Sequence, residues 1–234
     1  MAVASYACRA AGRLLAACSF VALGLAGGAA TAAVPVTEQV YLSGTGPRTA
    51  VPWDFKVSGG RRAGEWSSIP VPSNWELQGF GGYDYGDGDK LHNEQGQYRL
   101  KFAVPPAWRG RSIRLVFEGV MTETTVRVNG VQAGETHIGG YYRFSYDITK
   151  LVKIGNGADN LLEVDVSKKA SDPLTDKAER RADYWVFGGI FRRVWIEASP
   201  MQAIAHTAVD ARADGSVKAV VTLDRPQAGA QLEA

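Results

Sequence analysis

The chain has 234 residues, room for one full domain and part of a second at roughly 100–200 residues each. Apolar residues make up 45% and charged residues 21%, a balance that excludes wholesale disorder. The net charge of +2 resides in Arg9 and Arg13; taking those two from 26 basic residues leaves 24, against 24 acidic ones, so charge gives no reason to expect nucleic acid or an anionic membrane as partner.

Arg9 and Arg13 precede an Ala/Leu-rich run from Leu14 to Ala30, and Ala30-Thr31-Ala32 fits an A-x-A cleavage site. Residues 1–33 therefore read as an export signal, which sets a periplasmic or extracellular expectation. The run contains Gly24, Gly27 and Gly28 and falls short of the about 20 apolar residues of a membrane span. Leu15-Ala16-Ala17-Cys18 resembles a lipoprotein box, but most of the apolar run follows Cys18, where lipidation needs it ahead. Cys8 and Cys18 are the only cysteines, so residues beyond the signal have no disulfide and no thiolate chemistry.

From there period-2 alternation dominates and helical periodicity is nearly absent. Tyr98, Leu100, Phe102 and Val104 alternate with Arg99, Lys101 and Ala103; Ile113, Leu115 and Phe117 alternate with Arg114 and Val116. Val126 and Val128 lead into Asn129-Gly130, the signature of a type I′ hairpin turn. Asp147 to Val152 suits one helical turn capped by Asp147. Leu162, Val164 and Val166 form a strand with Glu163 and Asp165 outward, and another strand is expected from about Ile190 through Glu197. Pro105-Pro106, Trp108-Arg109-Gly110 and Gly155-Asn156-Gly157 mark turns. The fold expected is all-β: an antiparallel jelly-roll sandwich over 34–199. After Ser199-Pro200, strands at Ala203–Val209 and Val217–Leu223 flank Ala213-Asp214-Gly215. They read as the start of an immunoglobulin-like sandwich over 200–234, which needs about 100 residues when complete.

Most catalytic chemistries find no support. There is no G-x-S-x-G elbow, His92, His137 and His206 are scattered without zinc spacing, and no glycine loop cradles a phosphate. No cofactor, metal or catalytic residue is expected. Asp84, Asp87, Asp89 and Glu94 lie in a Gly/Asp-rich loop whose spacing matches no calcium loop. A solvated loop is the plainer reading. Phe80, Tyr83 and Tyr85 beside these acids also suit a sugar, whose C–H faces lie on rings while its hydroxyls take directed hydrogen bonds. In the stretch Arg180 to Arg192, Asp183 reads either as a loop acid beside arginines or as a ligand contact fixed by Trp185 and Phe187.

Several segments, in order, resemble the sugar-binding domain of glycoside hydrolase family 2: Val71-Pro72-Ser73-Asn74-Trp75-Glu76-Leu77-Gln78-Gly79, Gly96-Gln97-Tyr98-Arg99, Phe117-Glu118-Gly119-Val120, Val128-Asn129-Gly130, Phe144-Ser145-Tyr146-Asp147-Ile148-Thr149 and Asp183-x-Trp185-x-x-x-Gly189-Ile190-Phe191-Arg192. The resemblance implies a jelly-roll domain, an immunoglobulin-like domain and then a (β/α)₈ barrel whose two glutamates perform retaining hydrolysis. The chain ends before such a barrel. The expectation is an N-terminal sugar-binding fragment of an exported, β-galactosidase-like glycosidase, inactive alone, with a carbohydrate as ligand; the alternative is a stand-alone carbohydrate-binding module. The resemblance makes Asp183 the sugar contact, with Asp84, Asp87 and Asn93 as further candidates, Trp185 as packing support and Arg192 as an anchor of the motif.

Overall fold

The computed structural model describes residues 36–85, 93–181 and 183–225. The expected export signal and Cys18 lie outside them. In chain order the strands are β1 (Glu38–Tyr41), β2 (Val51–Val57), β3 (Ser67–Val71), β4 (Asp84–Tyr85) and β5 (Gln95–Val104). Next come β6 (Ser112–Phe117), β7 (Glu123–Val128), β8 (Val131–Gln132), β9 (His137–Ile138), β10 (Phe144–Asp147) and β11 (Gly155–Ser167). The helix α1 (Pro173–Arg180) follows, then β12 (Trp185–Val186), β13 (Val194–Ser199), β14 (Ile204–Ala211) and β15 (Val217–Leu223).

Thr37–Ser199 forms one compact unit, and the described residues from Pro200 belong to another. In the first, a four-stranded sheet runs β1-β13-β6-β10, and a larger sheet runs β3-β2-β5-β11-β7-β8 with β9 on β7. Every named pairing is antiparallel. The fold is thus the all-β sandwich expected. Alternation decides which side chains enter it: Tyr98, Phe102, Val104, Leu162, Val164 and Val166 are buried from the large sheet, and Ile113, Leu115, Phe117, Val194 and Ile196 from the small one. Burying a side chain of this size stabilises by about 1.5–3 kcal/mol. At the β7–β8 turn, Asn129 and Gly130 adopt φ of 53° and 80°, as a type I′ turn requires. The Asn129 side chain also accepts from the Leu161 amide at 2.9 Å.

In the second unit, β14 and β15 form a two-stranded hairpin in which no residue is buried.

Two local expectations change. The strand expected from Ile190 begins at Val194, because residues 187–193 are tied instead to other loops: Gly189 bridges Met121, and the Ser73 amide donates to the Ile190 carbonyl. Gly155-Asn156-Gly157 is not a turn but the start of β11, where a register shift between Gly155 and Asn160 absorbs the glycines. As expected, the segment after Asp147 makes a single turn: Asp147 accepts from the Thr149 amide at 2.9 Å, and Thr149 Oγ1 accepts from the Ile113 amide and pins the turn to β6. The α-helix among the described residues is α1. Asp172 caps α1 by accepting from the Thr175 amide at 2.7 Å, and Pro173 opens its first turn. Its buried face is polar, Asp176 and Arg180, so it carries no apolar stripe.

Candidate functional site

The site grows from Trp75, whose indole is fully buried. Three glycines make its room: a Cβ at Gly188 would lie 2.2 Å from Trp75 Cζ2, one at Gly96 2.7 Å from Cζ3, and one at Gly81 2.9 Å from Nε1. All three distances are below any real contact, so a larger residue there displaces the ring. The backbone is zipped to match. The Ser73 amide donates to the Ile190 carbonyl at 2.8 Å and the Trp75 amide to Gly188 at 3.2 Å, while Asn74 Nδ2 donates to Gly188 at 3.3 Å. Segments near residues 73–76, 81, 96 and 188–190 are therefore one packed object.

Its outer edge is the pair β4–β12, with Tyr85 opposite Trp185 and Asp84 opposite Val186. This brings the start of the acidic loop against the Asp183–Trp185 motif. Tyr85 Oη donates to Asp183 Oδ1 at 2.6 Å, and that bond, with burial, raises the Tyr85 phenol above its ordinary value. Trp185 packs edge-on to Tyr85 at 4.9 Å and to Tyr83 at 5.7 Å, and Tyr83 reaches Phe187 at 6.1 Å. The Arg61 guanidinium lies 5.0 Å over the Tyr83 ring. Tyr83, Tyr85 and Trp185 remain 46%, 54% and 50% exposed. The result is an exposed aromatic rim with a carboxylate at its edge, a combination suited to a sugar's C–H face and hydroxyls.

Beneath the rim lies an ion cluster. Lys168 Nζ meets Glu76 Oε1 and Asp84 Oδ2 at 2.8 Å each and Glu94 Oε2 at 3.4 Å. It also donates to the Gly82 carbonyl at 3.0 Å. Glu76 accepts from the Gly188 amide through both oxygens, at 3.1 and 3.0 Å, and Glu94 Oε1 accepts from the Gly82 amide at 2.6 Å. Burial pushes the Glu76 carboxyl up, against the pull of Lys168. Burial also works against the Lys168 charge, but the surrounding carboxylates outweigh it and hold the ammonium protonated. Arg180, also buried, donates to the Phe187 carbonyl at 2.9 Å. Among the described residues no group of three His, Cys, Asp or Glu side chains is arranged to hold a metal ion.

The structure places the sequence candidates unevenly. Asp183 is exposed on the rim. Asp84, expected at a sugar's edge, is only 5% exposed and faces inward to Lys168, because its strand position opposite Val186 points it away from Tyr85's side. Asn93 is exposed immediately ahead of buried Glu94. Asp87 and Asp89 lie outside the described residues. Trp185 is half-exposed on the rim as well as packed on it. Arg192 Nη1 donates to the Tyr141 carbonyl at 3.1 Å, and its neighbour Arg193 clamps Glu118 with two bonds of 2.7 Å. Sequence reading missed Glu76, Lys168 and Tyr85's bond to Asp183. The available signal for Lys168 was phase: it continues the inward series Leu162, Val164, Val166, whereas Lys169 is exposed.

Comparison with known proteins follows the same outline. Residues 60–200 match the family model described as glycosyl hydrolases family 2, sugar binding domain. The β-galactosidase of Thermoanaerobacter pseudethanolicus is 40% identical over 100 residues, 43% of this chain and 13% of that protein. That of Psychromonas ingrahamii is 30% identical over 173 residues, 68% of this chain and 16% of that protein. The structure of the β-glucuronidase from Ruminococcus gnavus in complex with D-glucaro-δ-lactam superposes with a TM-score of 0.58 at 20% identity, covering 82% of this chain and 36% of that one. At that identity the likeness is one of fold. The chain thus spans under a fifth of the length of these two curated relatives.

Proposed function

The chain belongs to glycoside hydrolase family 2, and from that premise we propose that it is the sugar-binding front of an exported, β-galactosidase-like glycosidase in which Asp183 contacts the substrate sugar. The observation that carries this reading is the β4–β12 pair, which sets Asp183, Tyr85 and Trp185 on one exposed rim. In it, Asp183 accepts hydroxyl hydrogen bonds, its second oxygen remaining for sugar while Oδ1 takes the Tyr85 hydroxyl. The Trp185 and Tyr85 rings offer faces for sugar C–H groups. Proton transfer and nucleophilic attack belong to the glutamate pair of a barrel domain, so residues 33–234 alone hydrolyse no glycoside.

The test is kinetic. In the complete product of the open reading frame that contains this chain, Asp183→Asn should lower kcat/KM for an aryl β-galactoside about a hundredfold, near 2.7 kcal/mol of transition-state stabilisation. An unchanged kcat/KM removes Asp183 from the site. Turnover by purified residues 33–234 overturns the division of labour. Export is checked by sequencing the N-terminus of secreted protein, which should begin near Ala33.

A further inference from the structure

The rim stands on a buried charge it never touches. Lys168 follows β11, Glu76 follows Trp75, Asp84 opens β4, and Glu94 precedes β5, so four separate stretches of chain meet at one ammonium. All four side chains are 3% exposed or less. Each link ends beside a rim residue. Gly82, bonded by Lys168 and Glu94, adjoins Tyr83. Asp84 adjoins Tyr85 and pairs with Val186, which adjoins Trp185. Glu76 holds the Gly188 amide at the far end of the same motif and offers its own carbonyl to the Tyr83 hydroxyl at 3.1 Å.

We propose that Lys168 is a positioning residue: its ammonium holds the segments carrying Glu76, Asp84 and Glu94 together and so sets the Tyr83–Tyr85–Trp185–Asp183 rim. The reason is electrostatic. Three carboxylates brought this close in a dry site repel one another, and the repulsion is large where water does not screen it. With the ammonium in place they are drawn to a common point. Without it, the three segments they belong to have a direct reason to separate, and the one that carries Asp84 is β4, the strand on which β12 and Trp185 are paired. The four-stranded sheet carries no member of the cluster on β1, β6, β10 or β13, so the change should stay on the rim side. That the rim receives sugar rests on the reading given above; that Lys168 sets the rim does not.

The full chain labelled with 5-fluorotryptophan tests this by ¹⁹F resonance. Its six tryptophans include Trp185 on the rim, assigned through Trp185→Phe, and Trp108 and Trp195, which bond Glu38 and Glu197 on the small-sheet side. Lys168→Met should shift or broaden the Trp185 resonance and leave those of Trp108 and Trp195 in place. Asp84→Asn, which cuts one link without leaving surplus negative charge, should move Trp185 less and in the same direction. A Trp185 resonance unmoved in Lys168→Met overturns the proposal. If that variant does not fold, Asp84→Asn decides alone: an unmoved Trp185 overturns it and a moved one supports it. The measurement contains no sugar, so it stands or falls separately from the kinetic test of Asp183.

Discussion

Ion pairs occur in two settings in this molecule, and the contrast separates what a charge does for solubility from what it does for shape. On the outer face of the large sheet, Arg99 pairs with Glu163 directly across β5 and β11 at 3.2 Å, and Arg127 pairs with Asp165 between β7 and β11. The side chains of these four residues are 26–47% exposed. Under the rim, Lys168 and its three carboxylates are 3% exposed or less. Water competes for the outer pairs, salt screens them, and each is worth about 0–1 kcal/mol. The inner group lost its hydration on folding, so its net contribution is small or unfavourable, yet removing one partner strands the others. The outer ladder decorates a sheet that its core already holds. The inner cluster sits where four separate stretches of chain meet.

The largest effect expected from this contrast is at Lys168. Lys168→Met should lower the unfolding free energy by about 3–5 kcal/mol, read from urea titration of the purified chain. That is a large fraction of the about 5–15 kcal/mol available to a domain. A loss under about 1 kcal/mol would place the cluster with the outer ladder and end the distinction. Next is Gly188→Ala. Its new methyl group would start 2.2 Å from the Trp75 ring, and overpacking of this kind costs about 1–3 kcal/mol. Both variants act on the object that underlies the rim, by charge in one case and by volume in the other. Equal urea midpoints for Gly188→Ala and wild type would mean that Trp75 has slack the packing does not show.

How much of this was legible in the sequence depends on the range of the interaction. Alternation in β5 and β11 is local, so the inward faces and the sandwich follow from it. Asn129-Gly130 announced its turn for the same reason. The α1 helix was missed although Asp172-Pro173 is a capping signal, because its buried face is Asp176 and Arg180 rather than apolar. Asp183 was legible through the motif resemblance, but its partner Tyr85 lies 98 residues away. The cluster was the least visible part: the links from Lys168 to Glu76, Asp84 and Glu94 each span about half of the Thr37–Ser199 unit. Only the strand phase of Lys168 and Glu94, in step with Val166 and Gly96, hinted at burial.

Between the two extremes stands Glu118. Its carboxylate takes two bonds of 2.7 Å from Arg193 and a longer contact from Arg143, joining the end of β6 to the approach to β13. Those bonds, with Arg193's charge, hold Glu118 below its ordinary value of 4.5 despite some burial. Glu118→Gln should cost about 1 kcal/mol at neutral pH. The sign with pH follows from the depressed value: the stabilisation is complete above the unfolded glutamate value and is lost as pH falls through the lower folded one. The urea midpoints of variant and wild type should therefore converge in acid. Divergence there would mean that the variant damages packing rather than charge.

The smallest effect belongs to the outer ladder. Glu163→Gln removes the charge opposite Arg99 and should change stability by less than about 1 kcal/mol, with the difference shrinking further as salt is raised. Arg99 has an alternative, since its guanidinium already lies 4.3 Å over the Trp66 ring, and water reaches it. The same substitution type at Glu94 sharpens the comparison. Glu94→Gln keeps the shape of a residue that is 3% exposed and bonded to the Gly82 amide and Lys168, so any loss measured there is charge or hydrogen-bond chemistry in a dry site. That loss should exceed the Glu163 effect and persist at high salt, because ions in solution do not screen a buried contact. If the two variants instead respond to salt alike, the protein makes no distinction between its inner and outer charges, and Lys168 is one more exchangeable ion.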